Sequence, residues 1–184
     1  MSKWTTQQVA REWERHASSF VSTLMTEPDP QAVEQLAAIG DLDADHARWE
    51  LRYLRRAVGL LIAGRDALDD RTASLVGQAL ARAVEQDPSA APAMRVVSAA
   101  QFNARLRAYR DVMGQRGGSH TPIGALGEAL IGFAGGRSGN DPRAWASQWI
   151  AAELERANEA LRAEFGTVDL PENIAPSAMP IPRR

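Results

Sequence analysis

The chain has 184 residues, 45% of them hydrophobic and 24% charged, with a formal net charge of −2. These are the proportions of an ordinary globular protein, and the absence of cysteine excludes disulfide scaffolds, zinc ribbons, iron–sulfur centres and cysteine nucleophiles. Alanine (33) and arginine (20, against the single lysine Lys3) favour helix, and few segments alternate as strands do. An all-α fold follows: one bundle of about six or seven helices over 1–166, then an extended Pro-rich tail over 167–184.

In chain order, Thr5 and Gln8 form a capping box before Val9, Trp13, Ala17, Phe20 and Leu24, which share one face of a helix over about 6–25. Asp29-Pro30 caps and opens a second helix, with Gly40 as its stop. Asp43 caps a third over about 44–64, and Asp69 or Asp70 a fourth over about 71–86. Residues 88–97 contain two prolines and read as a connector, after which Ser98 and Gln101 form a second capping box for a fifth helix ending near Met113. Thr121-Pro122 begins a sixth helix that Gly135-Gly136 ends, and Asp141-Pro142 begins a last one over about 142–165.

Charge alternates along the chain: −5 over residues 1–47, +4 over 48–65, −3 over 66–94, +4 over 95–116 and −2 over 117–184. Within the third helix, Arg48, Arg52, Arg55 and Arg56 fall on one ridge, while apolar residues cover most of the remaining circumference and predict a central position. The ridge suits anion binding, but pairing with acids such as Asp41, Asp43 and Asp45 is the favoured expectation. On the apolar side His46 and Glu50 stand at i and i+4, a spacing that serves two metal ligands or a base and its orienting group. His16 lies on the apolar stripe of the first helix and is the natural third member of such a site.

The segment 114–141 holds nine of the fourteen glycines, three of them (Gly124, Gly127, Gly132) inside the sixth helix. Each glycine there costs about 1 kcal/mol relative to alanine. Either the helix docks or moves as a lid, or it packs unusually close to a neighbour. Trp145 and Trp149 sit one turn apart on the last helix and, with Ile131 and Phe133, make a candidate partner-binding surface.

No Walker, Rossmann, Gly-x-Ser-x-Gly or helix–turn–helix signature is present, and no cofactor is expected. The net charge gives no case for nucleic acid, and no apolar run reaches the about 20 residues of a membrane span. The expectation is a non-enzymatic, cytoplasmic interaction protein (an adaptor, chaperone or regulatory subunit) that binds a protein partner or its own copy. The alternative is a helical enzyme or ligand-binding protein with an interhelical pocket around His16, His46 and Glu50.

Overall fold

The computed structural model describes residues 6–67, 70–114, 121–136 and 139–166. The expected tail, Thr5 and Asp69 lie outside the described residues. The fold is all-α. Its elements are α1 (Thr6–Leu24), α2 (Pro30–Gly40), α3 (Ala44–Asp66), α4 (Asp70–Glu85), a 3-10 turn (Pro92–Met94), α5 (Arg95–Gly114), α6 (Pro122–Phe133) and α7 (Asn140–Phe165). No helix of the described residues is long and apolar enough to cross a membrane.

Local chemistry sets three of the helix starts. The Asp29 carboxylate accepts from the Gln31 N–H at 3.0 Å, Asp43 from His46 at 2.9 Å, and the Thr121 hydroxyl oxygen from Gly124 at 3.1 Å. Each satisfies a donor that the first helical turn leaves without a backbone partner. At the start of α7 the cap position is Gly139 rather than Asp141, which lies inside the first turn and there complements the helix dipole.

α3 contacts every other helix, as its nearly continuous apolar circumference predicts. Leu51, Leu54, Ala57, Val58 and Ile62 are buried on it against Phe20, Leu36, Leu80 and Ile150 of the common core. Three of its arginines are built inward. Arg52, Arg55 and Arg56 are buried, and each pairs with an acid far along the chain: Glu27, Glu153 and Asp87. Of the ridge only Arg48, paired to Asp45 at 3.2 Å, keeps substantial exposure. The ridge therefore does not form a continuous cationic surface. It ties the joint after α1, the end of α4 and the middle of α7 to one central helix.

Asp87 shows how tightly that wiring is made. One oxygen accepts from Arg56 at 2.5 Å and the other from the Ser89 N–H at 2.9 Å. Burial pushes this carboxyl up, but the Ser89 N–H and Arg56 outweigh it and hold the group below the ordinary carboxylate range. A depressed folded value contributes stability above the unfolded pKa of about 3.9, and that stability is lost as pH falls through the folded value. Asp87→Asn, which keeps the Ser89 contact, should flatten the acid limb of a melting-temperature titration below about pH 4; an unchanged limb would assign acid sensitivity to other carboxylates.

Two helix boundaries differ from expectation. α5 begins at Arg95, one turn before the Ser98/Gln101 pair, because the 3-10 turn leads into it without a break. Ser98 and Gln101 consequently do not cap; they are helical residues that face Tyr53. The stop of α2 falls on Asp41, which adopts the left-handed region at φ 51°, while Gly40 remains the last helical residue and is buried. In the glycine-rich segment, α6 lies against α7 with Leu126, Leu130 and Ile131 buried. A Cβ on Gly127 would stand 3.2 Å from the Ala146 Cβ and 3.4 Å from the Ser147 nitrogen, so close packing explains this glycine.

Candidate functional site

The first two turns of α3, the loop after α4 and the start of α5 enclose a cleft of about 500 Å3. Its walls form for local reasons. The Asp43 cap starts α3 so that His46, Trp49, Glu50 and Tyr53 follow at three- and four-residue spacing along one side. Pro88 and Pro92 bend the chain after α4, which carries Ser89, Ala90 and Ala91 across and returns Met94, Val97, Ser98 and Gln101 on the opposite wall.

Aromatic rings and a few polar groups define the interior. Trp49 and Tyr53 lie with ring centroids 5.6 Å apart. The Tyr53 hydroxyl donates to Gln101 Oε1 at 2.9 Å and lies 3.3 Å from the Ser98 hydroxyl. Burial pushes the Tyr53 phenol above its ordinary value, so it stays neutral and serves as a donor. Arg52 covers Trp49 at 4.6 Å from the ring centroid. Glu50 is buried and held in a fork by Arg105, at 2.7 and 3.2 Å, with the His46 Nε2 at 3.5 Å. The hydrogen bond to Glu50 raises Arg105 further above its ordinary value. Glu50 is thus a paired structural anion joining α3 to α5. With both its oxygens engaged by a guanidinium, it is poorly placed to take a proton from a substrate.

The expected trio of His16, His46 and Glu50 does not converge. His46 and Glu50 meet at the cleft, but His16 does not line it. His16 instead contacts Glu164 at 2.8 Å, beside the Ser19–Glu164 hydrogen bond, and joins α1 to the end of α7. No group of three His, Cys, Asp or Glu side chains suited to a metal ion occurs among the described residues.

The candidate surface on α6 and α7 is also largely enclosed. Ile131 is fully buried, and Trp145 and Trp149 are half-buried against the core. Phe133 has Tyr109 edge-on at 5.6 Å and Arg105 at 4.4 Å from its ring centroid. Sequence reasoning missed the start of α5. Among the described residues, the large apolar side chains left exposed are Val9, Met94, Val96 and Val97, and Val96 is 80% exposed. The available signal was the run Met94-Arg95-Val96-Val97 inside a segment read from its two prolines as a connector. No known protein family, curated protein or solved structure matches this chain.

Proposed function

We propose that the protein is a non-enzymatic binding module that holds a partner protein at the α3–α5 cleft. The observation that carries this reading is the concentration of exposed apolar side chains at Met94, Val96 and Val97, two of which also line the cleft. Solvated aliphatic side chains beside a concave aromatic wall gain by burial, at about 25 cal/mol per Å2 of apolar surface. A recessed Trp and Tyr beneath an aliphatic rim also suit the anchoring residues that dominate protein interfaces. The paired state of Glu50 and the hydrogen-bonded state of Tyr53 favour recognition over proton transfer.

The test is a Val96→Asp/Val97→Asp double variant. Both positions lie in the first turn of α5, where acidic residues complement the helix dipole, so the fold should be retained. In affinity purification from the native source, the partner held by the wild type should fall at least about tenfold in recovery from the variant, at an unchanged melting temperature. Equal recovery, or a wild-type chain that purifies as a lone monomer, overturns the reading. A small amphipathic ligand is the second reading, favoured by the cleft's volume, which falls within the about 300–1,000 Å3 of small-molecule sites. It requires a co-purifying mass on the chain in native mass spectrometry.

A further inference from the structure

Asp43 differs from the other carboxylates at the cleft. Glu50 is held by Arg105 and Asp45 by Arg48, whereas Asp43 has no lysine or arginine at ion-pair distance among the described residues. The N–H groups at the start of α3, that of His46 first, hold its carboxyl below the usual range, so it is ionised at neutral pH. The described lining of the cleft contains no lysine or arginine and one histidine, the half-exposed His46; Arg52 and Arg105, which lie against Trp49 and Glu50, are paired to Glu27 and Glu50. Asp43 therefore contributes a carboxylate that caps α3 through backbone N–H groups and has no lysine or arginine to neutralise it.

What surrounds this charge narrows the class of group that fits it. Trp49 and Tyr53, their rings tilted by 36°, line the cleft together with Asp43, as do the apolar side chains of Met94 and Val97. An acidic side chain entering here meets Asp43 with like charge, and a purely apolar one leaves the carboxylate facing a dry surface. A long basic side chain satisfies both features, because its stem is apolar and its tip is cationic. The Trp49 ring already carries Arg52 at 4.6 Å, so the gain at the tip comes from the carboxylate, which a planar guanidinium can meet with two N–H groups at once.

We propose that the cleft receives a partner segment through one arginine or lysine flanked by apolar residues. The cation sits at Asp43, its stem lies along Trp49, and the flanking residues rest on Met94 and Val97. This inference rests on reading the cleft as a partner-docking surface, and it adds the chemistry of the docked segment.

The experiment compares two blocked pentapeptides, Ala-Leu-Arg-Leu-Ala and Ala-Leu-Gln-Leu-Ala, titrated into the full chain by NMR at millimolar concentration. The reporter is the Trp49 indole N–H, assigned by its disappearance in Trp49→Phe. The arginine peptide should shift this resonance and bind about fivefold more tightly than the glutamine peptide, as expected for one partly exposed charge contact on an aromatic wall. Asp43→Asn is the decisive variant, because asparagine caps a helix as well as aspartate does and removes only the charge. In it the two peptides should bind equally. Equal binding to the wild type, or a preference that survives Asp43→Asn, overturns the basic side chain and leaves the partner reading standing. Absence of binding by either peptide, with partner recovery still lost in the Val96/Val97 variant, likewise overturns this inference alone. Failure of the Val96/Val97 test itself removes the partner reading.

Discussion

Glu153→Ala should cost the fold about 3–5 kcal/mol, because it strands a buried guanidinium. Glu153 and Arg55 are both buried and meet through two parallel hydrogen bonds of 2.7 and 2.9 Å. The remaining Arg55 nitrogen donates to the Thr26 and Glu27 carbonyls at 2.8 and 3.0 Å, and Arg156 reaches Glu153 at 2.6 Å from the exposed side. The pair therefore fastens α7 and the α1–α2 joint to α3. Its attraction is offset by the cost of taking two ions out of water, so removing both charges is a different experiment from removing one. Arg55→Met with Glu153→Leu should recover most of the loss, short of about 1–2 kcal/mol for the carbonyls of residues 26 and 27 left without a donor. Urea titration at neutral pH reads both variants, provided the slope of the transition is unchanged. A cost below about 1 kcal/mol for Glu153→Ala would mean that water reaches Arg55 once the carboxylate is gone.

The same helix shows which parts of this protein are legible in its sequence. That Arg52, Arg55 and Arg56 share a ridge follows from helical spacing alone. That the ridge points inward does not, because apolar residues occupy most of the other directions and no single face is marked as solvent. The deciding partners, Glu27, Asp87 and Glu153, lie 25, 31 and 98 residues away, beyond the reach of local pattern. Helix starts were legible for the opposite reason. Asp29, Asp43 and Thr121 each satisfy a donor two or three residues on, so the signal and its cause lie within one turn. Ser98 and Gln101 carry the same capping pattern and fail to cap, since Tyr53, 45 and 48 residues earlier, uses them from another helix. The cleft was half legible for this reason. His46, Glu50 and Tyr53 stand on one helix and could be grouped, whereas Met94 and Val97 arrive through a bend that no periodicity encodes.

Gly40→Ala should be the most damaging of the glycine substitutions, at about 3 kcal/mol, the upper end of the cost of overfilling a packed site. The reason is what the new methyl group meets. A Cβ at Gly40 would enter the van der Waals envelope of the Ala134 carbonyl oxygen, a backbone atom at the end of α6 that cannot rotate away. Gly136 returns the contact from the other side, where a Cβ would stand 3.1 Å from the Ile39 carbonyl and 3.0 Å from Ile131 Cγ2. The ends of α2 and α6 thus lie backbone against backbone, and relief requires moving a helix rather than a rotamer. Gly64 and Gly132 are the proper controls, since each is helical and exposed and a Cβ on either has no atom within 4 Å. Alanine there restricts the unfolded chain without native strain and should stabilise by about 0.4–1 kcal/mol. Thermal melts of the three variants separate the two uses of glycine in this chain. A Gly40→Ala protein that melts with the controls would show that the α2–α6 junction can slide, and would remove close backbone approach as the reason for glycine at that position.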